Sequence, residues 1–501
     1  MTFRNAPPVA EAMIESLRGL GYSTATALAD IIDNSISAGA SEIDIRFDWA
    51  EAHSRVSIRD NGAGMTDAEL ETAMRLGARD PRHARSSTDL GRFGMGLKTA
   101  SFSQARRLTV ASRRAGETIV CLRWDLDRLG EAAGGGWPLF EGAHPGSEHH
   151  LSALDIQPHG TIVLWECLDR IVSEGFKAQD MIDLVDQVER HLAMTFHRLI
   201  DDPARPLKLT LNGRPVAAWD PFMTGHPGKA LESSEFRLIH TTGVMVQEHV
   251  LPHRDMLKPA EADAAAGPAG WTSQQGFYIY RNRRLLVAGG WLGLGERGRA
   301  WTRDEAHRLA RIRLDIPNSA DAEWKINILK STASPPVILR PQLQRIAAET
   351  RERARLVFAH RGHLLPSAGR AQGVRDVWDA VKTRNGTAYR ISREHDLVAS
   401  LLDRAGPLKT DILALLRLVE ETVPVQRIWL DTAEDKDTPA TGFTAASEED
   451  VRTPLAALFR ALVLHSGLTE PQARDRLQRT PPFERYTALI DALKIEDDET
   501  Q

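Results

Sequence analysis

Asp30-Ile31-Ile32-Asp33-Asn34 is the first of four short stretches that decide how the first 165 residues fold and what they bind. The other three follow in the order Asp60-Asn61-Gly62-Ala63-Gly64-Met65, Gly91-Arg92-Phe93-Gly94-Met95-Gly96-Leu97-Lys98 and His159-Gly160-Thr161. Gly-rich and Asp-rich turns are common, so any one of these stretches could arise by chance. The four together predict one nucleotide-binding site rather than four unrelated loops.

The composition is that of an ordinary globular protein. The chain has 501 residues, 42% hydrophobic and 26% charged, a length that predicts about three domains. No apolar run approaches the roughly 20 residues that span a membrane, and the N-terminus lacks the apolar core of a secretion signal. Two cysteines, Cys121 and Cys167, cannot form a disulfide framework or a multi-cysteine zinc site. We therefore expect a cytoplasmic protein.

Basic residues are concentrated in one part of the chain. The net charge of −5 argues against a surface coated for nucleic acid. Between residues 75 and 114, however, acidic side chains are scarce and basic ones frequent. The basic residues are Arg75, Arg79, Arg82, Arg85, Arg92, Lys98, Arg106, Arg107, Arg113 and Arg114. This segment could contact phosphates of ATP or DNA, or it could be a solvated arginine-rich surface; outside the glycine stretch both interpretations remain open.

Hydrophobic periodicity predicts the secondary structure around the four stretches. Residues 9–36 have apolar positions at helical spacing, and residues 65–76 form a second helical pattern with Thr66 as N-cap and Glu69 completing a capping box. Alternation at residues 43–47 and 56–59 predicts a hairpin. Another helix starts at Leu97. Further strands are predicted at residues 108–110, 118–122 and 161–165, and loops at 77–91 and 130–150.

The remaining two thirds of the chain give weaker patterns. A helical segment at 176–200 leads to a second domain that opens with a strand and turn at 207–214. We expect an Ala/Gly/Pro-rich loop at 259–270, a strand at 276–281 and a closing helix near 340–360. From about residue 365 the pattern is mostly helical, interrupted by an acidic, Thr-rich loop at 432–450.

The first stretch carries side chains suited to nucleotide hydrolysis. On a helix, Asp30 and Asn34 lie one turn apart and share a face. The Asp30 carboxylate could orient and deprotonate a water molecule, while the amide oxygen of Asn34 could hold Mg²⁺ against phosphates. Asp33 could support either role. Taken alone, this pair is more typical of a polar helix edge with a local hydrogen bond.

The second and third stretches suit the two ends of a nucleotide. A buried Asp60 at a strand end can accept a hydrogen bond from the exocyclic amine of adenine, and Gly62 and Gly64 would let the base lie against the backbone. Backbone N–H groups around Gly91, Gly94 and Gly96 can bind anionic oxygens. The third stretch is not a Walker A loop, because Leu97 stands where that motif needs lysine, and it is no dinucleotide fingerprint. The loop at 77–90 would cover the phosphates.

The order of the four motifs resembles the GHKL superfamily, which includes DNA gyrase B, heat-shock 90 chaperones, histidine kinases and MutL. The resemblance covers roughly residues 10–170. It implies an α+β chain with a Bergerat-type α/β sandwich ATPase domain that binds ATP and Mg²⁺. Carried over, Asp30 is the general base, Asn34 the metal ligand and Asp60 the adenine contact. The remaining implied nucleotide contacts are Gly62, Gly64, Met65, Gly91, Arg92, Phe93, Gly94, Met95, Gly96, Leu97, Lys98 and Thr161.

One departure from the family pattern concerns the base. The family has glutamate where this chain has Asp30, which is one methylene shorter. A displacement of about 1 Å at a catalytic group can cost on the order of 100-fold in rate. We therefore expect hydrolysis to be slow, and ATP binding is the firmer expectation.

The resemblance also implies how the rest of the chain is organised. A histidine kinase is excluded, because too few residues precede Asp30 to hold a phosphoacceptor helix. The other branches send a lysine or arginine from a transducer domain to the γ-phosphate. Lys330 is the favoured candidate and Lys325 the second, each placed at a strand end, although an exposed lysine would fit the same pattern. The predicted domains are an ATP-binding domain at 1–200, a transducer-like α/β domain at 201–362 and a mainly helical C-terminal domain at 363–501.

Three segments are most similar to MORC-type ATPases. They are the glycine stretch, the turn at 211–213 with Trp219-Asp220-Pro221-Phe222, and the segment 278–284. Prokaryotic members of that type are associated with DNA manipulation and restriction-like defence. The resemblance implies an ATP-dependent homodimer that acts on DNA, with a separate nuclease or helicase partner. Arg281, Arg283 and Arg284 would line the DNA path or form a solvated strand edge. The alternatives are a chaperone-like clamp on protein clients and an ATP-binding scaffold with little turnover.

Overall fold

The computed structural model describes residues 9–77, 96–131, 137–239, 241, 243–320, 323–327, 330, 332–359, 375–383, 386–428, 443, 447–480, 482–483 and 486–495. The chain divides into two compact units, Met1–His363 and Leu364–Gln501. Among the helices of the described residues, none is both long and apolar enough to cross a membrane.

The first unit contains helices that pack on two sheets. They are α1 (Ala10–Arg18), α2 (Thr24–Ser37), α3 (Asp67–Met74), α4 (Gly96–Phe102), α5 (Ala153–Ile156), α6 (Ala178–Thr195), α7 (His197–Ile200), α8 (Pro259–Ala266) and α9 (Arg340–Ala359). The apolar pattern at 9–36 is thus divided between α1 and α2. A capping box between Ser23 and Thr26 begins α2. The predicted capping box of Thr66 and Glu69 begins α3 and is confirmed.

The first sheet has eight strands in the order β5-β4-β3-β6-β2-β1-β7-β8. The strands are β1 (Glu42–Asp48), β2 (Arg55–Asp60), β3 (Arg107–Arg113), β4 (Val120–Asp125), β5 (Phe140–Glu141), β6 (Gly160–Glu166), β7 (Lys208–Leu211) and β8 (Arg214–Pro215). Apart from the parallel pair β1–β7, all its pairings are antiparallel. The predicted hairpin is β1–β2.

The core of this sheet explains why α2 carries so few exposed residues. Ile43 and Ile45 of β1 and Ile58 of β2 face inward and pack with Leu28 and Ile32 of α2. Inward and outward residues alternate along β2. Helices therefore cover one face of a largely antiparallel sheet, and the predicted α+β sandwich is confirmed.

The strand β7 belongs to the first sheet and not to the predicted second domain. It was expected to open the second domain, but it pairs with β1 and extends the first sheet. The inward positions Leu209 and Leu211 join the first core, which explains the pairing. The domain limits at 200 and 362 remain predictions.

The second sheet has six strands, with the order β10-β11-β16-β12-β13 and β9 beside β11. Its strands are β9 (Leu231–Glu232), β10 (Phe236–Arg237), β11 (Met245–Val250), β12 (Gly276–Arg281), β13 (Arg284–Ala288) and β16 (Ala310–Ile316). The short strands β14 (Gly295–Glu296) and β15 (Arg299–Ala300) form a separate pair. The predicted strand at 276–281 and the helix near 340–360 are confirmed as β12 and α9.

One predicted loop is wrong. The Ala/Gly/Pro-rich segment at 259–270 contains the helix α8. Proline is favourable at the first helical position, and here it is Pro259; alanine, the strongest helix former, dominates the remainder. The backbone N–H of Lys258 also donates to the Glu261 carboxylate at 3.0 Å.

The second unit is mainly helical, as predicted. Its helices are α10 (Asp396–Arg404), α11 (Lys409–Thr422), α12 (Glu448–Arg460), α13 (Glu470–Leu477) and α14 (Thr487–Asp491). A hairpin of β17 (Trp378–Thr383) and β18 (Gly386–Ile391) was not predicted. The Asn385-Gly386 pair between alternating residues was the available signal. Most of the expected acidic loop at 432–450 lies outside the described residues.

Candidate nucleotide site

The helix α2 supplies the polar side chains around which the candidate site is built. Asp30 and Asp33 are buried, with 5% and 1% of their surface exposed, whereas Asn34 is exposed. Ser35, the next residue, is buried on the side of α2 that meets Asp60. One helix therefore reaches both the end of the site predicted for adenine and the end predicted for phosphate.

At the end predicted for adenine, Asp60 occupies the last inward position of β2. Its Oδ2 accepts a hydrogen bond from Ser35 Oγ at 2.7 Å, and its Oδ1 accepts one from the backbone N–H of Gly62 at 2.8 Å. Burial raises the pKa of Asp60 above its ordinary value, although these hydrogen bonds oppose the rise. Each carboxylate oxygen has a second lone pair, so the group retains acceptor capacity for a ligand.

The glycines after Asp60 are required by close backbone contacts. Gly64 has φ +69°, and a Cβ there would lie 1.9 Å from the carbonyl oxygen of Arg113. A Cβ at Gly62 would lie 3.0 Å from Asp60 Oδ1. Glycine is therefore the residue that fits at Gly64, where the turn lies against the end of β3.

The fourth stretch is adjacent to the second. Thr161 pairs with Asp60 across β2 and β6. Ser112 Oγ accepts a hydrogen bond from the Met65 backbone N–H at 2.9 Å and lies 2.9 Å from Thr161 Oγ1. A Cβ at Gly160 would lie 2.2 Å from the Asp60 carbonyl oxygen. The structure thus brings Asp60, Gly62, Gly64, Met65 and Thr161 together.

At the end predicted for phosphate, two cations of the second sheet region meet two carboxylates of α2. Lys330 Nζ donates to Asp30 Oδ1 at 3.0 Å and to Asp33 Oδ2 at 2.5 Å. Arg284 Nε donates to the Asp33 carboxylate at 3.2 Å, and its Nη2 lies 3.9 Å from Asp30 Oδ1. The hydroxyl of Tyr22 donates to Asp30 Oδ2 at 2.8 Å. We call Asp30, Asp33, Arg284 and Lys330 the ion cluster.

The electrostatics of the ion cluster favour its charged form. Burial alone would raise the pKa of Asp33, but Arg284 and Lys330 outweigh burial and hold it below its ordinary value. Burial and the neighbouring Asp30 charge raise the pKa of Tyr22, so this phenol remains a hydrogen-bond donor. Arg281 also lowers the pKa of Asp33. These cations stabilise the carboxylates in a buried setting where an unpaired charge would be costly.

Lys330 lies in a tight turn, with a backbone φ of +50°. Its N–H donates to the Asn327 carbonyl oxygen at 3.0 Å, and Asn327 Oδ1 accepts from the Thr332 N–H at 3.1 Å. The predicted strand is wrong for the described part of this segment, because residues 323–325 form a turn anchored by the buried Trp324. Lys325, the second candidate, is exposed.

The glycine stretch is described only from Gly96. Gly91, Arg92, Phe93, Gly94 and Met95 lie outside the described residues, as do positions 78–90 of the predicted covering loop. A Cβ at Gly96 would lie 3.7 Å from Asp30 Oδ2, so the start of α4 faces the ion cluster. Leu97 is half-buried against the first core.

Lys98 was expected to contact the nucleotide, but in this structure it contacts backbone carbonyl oxygens. Its side chain is 2% exposed, and Nζ donates to the carbonyl oxygens of Ala73 and Arg75 at 2.8 and 3.0 Å. These carbonyls belong to the end of α3, where helices leave acceptors unsatisfied. In this structure the Lys98 ammonium caps α3, and its contact with a nucleotide remains a prediction.

Four of the described arginines of the basic segment have acidic partners, whereas Arg113 donates to backbone carbonyl oxygens such as those of Leu154 and Gln157. Arg75 pairs with Glu71, Arg107 with Asp125, and Arg114 with Glu69. Arg106 pairs with Asp127 at 2.6 Å. For these positions the surface interpretation is favoured over a phosphate-binding one.

The suggestion that Arg281, Arg283 and Arg284 line a DNA path is wrong for two of the three. Arg281 and Arg284 are 3% and 4% exposed, because they lie on inward positions of β12 and β13. Arg283 is exposed at the turn between these strands and pairs with Asp202. A buried arginine cannot contact duplex DNA, and Arg284 belongs to the ion cluster instead.

The fit of this site to Mg²⁺ rests on Asn34. Within the described residues, no group of three or more His, Cys, Asp or Glu side chains is arranged to hold a metal ion. Magnesium next to nucleotides is commonly held by one or two protein oxygens together with phosphate oxygens and water. The exposed carboxamide of Asn34, one turn from Asp30, suits that donor set.

The fold and the site define an ATPase domain of a known class. Residues 22–161 match the family model for histidine kinase-, DNA gyrase B- and HSP90-like ATPases. This region of the chain is therefore similar to GHKL ATPases, and the predicted resemblance is confirmed.

Similar proteins come from two branches of that superfamily. The DNA mismatch repair protein MutL of Shewanella baltica (strain OS185) is 35% identical over 96 residues, which is 19% of this chain and 15% of the relative. The MutL of Shewanella oneidensis is 37% identical over 93 residues, 18% of this chain and 15% of the relative. The ATPase morc-1 of Caenorhabditis elegans is 31% identical over 91 residues, 18% of this chain and 10% of the relative. Each match therefore spans a small part of either chain.

Proposed function

We propose that this protein is a Mg²⁺-dependent ATP-binding and hydrolysing switch that dimerises on ATP and acts on DNA. The observation that carries the proposal is the position of α2. Its Ser35 holds Asp60, while its Asp30 and Asp33 hold a lysine 300 and 297 residues away in the chain. A ligand that spans both ends of α2 would contact both parts of the first unit.

Adenine recognition falls to Asp60 and its glycine turn. The carboxylate is fixed by Ser35 and Gly62, and it retains lone pairs for the exocyclic amine of the base. The glycines keep side chains out of the region where the base would lie. These contacts would select adenine by hydrogen bonding, since a base without that amine would leave the remaining acceptor capacity of the buried carboxylate unused.

Hydrolysis requires that Asp30 be freed from Lys330. While the ammonium is bound to Asp30, the carboxylate is a poor acceptor for a proton from water. A terminal phosphate that attracts Lys330 would release Asp30 to orient and deprotonate the attacking water. Mg²⁺, held by Asn34, would neutralise charge on the phosphates. Movement of Lys330 from Asp30 to the terminal phosphate would thus couple nucleotide binding to the region of the second sheet. This coupling is the basis of the proposed switch.

The DNA-directed part of the proposal is supported by the MutL relatives, which are named as DNA mismatch repair proteins. A restriction-like or defence role, with a separate nuclease or helicase, remains part of the same proposal. A second candidate is an ATP-binding scaffold that turns over little. The short Asp30 side chain and its ion pair with Lys330 favour that alternative.

The test compares Mg-ATP hydrolysis by the wild type and Asp30→Asn, with and without duplex DNA, while light scattering follows the oligomeric state. DNA-stimulated turnover that is lost in the variant, with an ATP-dependent dimer, supports the switch. DNA affinity should fall steeply with salt, because each phosphate contact releases counterions. Tight ATP binding without turnover in either protein supports the scaffold, and absence of ATP binding contradicts both.

A further inference from the structure

The two cations of the ion cluster differ in how they are held. Arg284 starts β13, is 4% exposed, and donates through Nη1 to the Leu285 carbonyl oxygen at 2.8 Å. Its guanidinium also lies 6.0 Å from the ring of Phe196. Lys330 instead lies in a turn with φ +50° and contacts the aspartates through its flexible side chain. Arg284 is therefore the fixed cation and Lys330 the movable one.

The charges of the cluster show why a fixed cation is needed. Asp30 and Asp33 are both buried, and Lys330 contacts both. If Lys330 moved to a phosphate, the two carboxylates would remain close together with one cation between them. Without Arg284, that departure would leave the two buried carboxylates with Arg281 as the remaining cation that lowers the pKa of Asp33. Removing a cation from buried carboxylates is strongly unfavourable.

We propose that Arg284 is a positioning residue for the Lys330 switch. Arg284 keeps Asp33 neutralised, so that Lys330 can leave Asp30 and Asp33 for the terminal phosphate of ATP. The inference rests on the proposed function and extends it, because it assigns the release of Lys330 to a residue of β13. In the absence of Arg284, two carboxylates hold Lys330 and compete with the phosphate.

The test measures the affinities of the full-length protein for ADP and for a non-hydrolysable ATP analogue, both with Mg²⁺. Arg284→Met should reduce the preference for the triphosphate by about tenfold, with ADP affinity changed by less than about twofold. Arg283→Met is the matched control, because it removes the neighbouring exposed arginine, and it should leave the preference unchanged. Arg284→Lys, which keeps the charge, should retain most of the preference.

The decisive variant combines Arg284→Met with Asp33→Asn. It restores charge balance, since Lys330 then faces Asp30 alone, and it should recover the triphosphate preference. A purely structural role of Arg284 would not give this recovery. If Arg284→Met does not fold, the inference is tested with the double variant of Arg284→Met and Asp33→Asn alone. Its thermal unfolding should resemble that of the wild type.

The outcomes separate this inference from the proposed function. A wild type that prefers the triphosphate, with Arg284→Met indistinguishable from Arg283→Met, overturns the inference and leaves the proposed function standing. Failure of the folded double variant to recover also overturns it. A wild type that binds neither nucleotide overturns the proposed function and the inference together.

Discussion

The two ends of the candidate site are built in different ways. At the adenine end, Asp60 is held by Ser35 and Gly62, which belong to the same sandwich and lie 25 and 2 residues away. At the phosphate end, Asp30 and Asp33 are held by Lys330 and Arg284 from the second sheet region. The end proposed for the base thus depends on contacts close in sequence, whereas the end proposed for the phosphates depends on contacts between distant parts of the chain.

The two buried aspartates differ in the direction of their pKa shifts for the same reason. Asp60 has uncharged hydrogen-bond donors as its closest partners, so burial prevails and its pKa is raised. Asp33 lies near the cations Arg284, Lys330 and Arg281, which prevail over burial and lower its pKa. An acceptor for an uncharged amine and a partner for cations need these different settings.

The largest expected effect is a difference in the free energy of unfolding between variants of Asp33 and Asp60. Asp33→Asn should lower the free energy of unfolding at neutral pH by about 3–5 kcal/mol, because it breaks a buried ion pair. Asp60→Asn should leave stability unchanged or slightly increased at neutral pH, while weakening ATP binding. Urea unfolding of both variants measures the difference, and equal destabilisation would contradict the comparison.

The pH dependence of the same variants follows from the signs of the shifts. The lowered pKa of Asp33 gives stability that is present above the unfolded value of about 4 and is lost as pH falls through the folded value. The raised pKa of Asp60 gives stability that is present below about 4 and is lost as pH rises through the folded value. The difference between the wild type and Asp33→Asn should therefore diminish on acidification below about 4. The difference between the wild type and Asp60→Asn should diminish earlier, as the pH falls through the raised folded value towards about 4. A difference that does not change with pH would exclude these carboxyl groups as its source.

Gly64→Ala should be the next largest change. The new Cβ would meet the Arg113 carbonyl oxygen, so we expect about 3 kcal/mol of destabilisation and loss of ATP binding. Gly39→Ala is the matched control, because Gly39 also has a positive φ, +78°, but no atom within 4 Å of the added carbon. It should cost about 1 kcal/mol. Similar melting temperatures for the two variants would refute the close-contact explanation.

Lys330→Met should reduce ATP turnover by about 100-fold, because a cation that stabilises the terminal phosphate is lost. ADP binding should be nearly unchanged. Lys325→Met, in the same segment with a similar φ of +49°, replaces an exposed lysine and should stay within about twofold of the wild type. Steady-state hydrolysis distinguishes them, and a larger loss in Lys325→Met would reverse the assignment.

Ser35→Ala should have the smallest effect. It removes one of the hydrogen bonds that fix Asp60, so ATP affinity should fall by about fivefold. Ser37→Ala, which removes a hydroxyl bonded to the Asp33 carbonyl oxygen on the same helix, is the control and should bind ATP normally. Equal affinities for the two variants would show that Ser35 does not fix the acceptor.

The sequence predicted best what depends on neighbouring residues. The β1–β2 hairpin and the Thr66–Glu69 capping box arise from contacts over a few residues, and their patterns were sufficient. The α8 helix was not predicted, because glycine and proline at 267–270 indicate a loop although the alanines before them favour a helix.

Long-range partners were the part that local patterns could not supply. Arg284 was predicted to line a DNA path or form a solvated strand edge, whereas it is buried and its partner Asp33 lies 251 residues away. Lys330 came from the family resemblance, and the described residues 323–327 before it do not form the predicted strand. Burial of a charged side chain depends on a partner that approaches only in the folded chain.

The most direct test of the account is a crystal structure of the protein with Mg²⁺ and a non-hydrolysable ATP analogue. The account predicts that Asp60 keeps its bonds to Ser35 and Gly62 and contacts the adenine amine. Lys330 Nζ should have left both aspartates for the terminal phosphate, with Arg284 still bound to Asp33. A nucleotide-bound structure in which Lys330 remains on Asp30 would contradict the proposed switch.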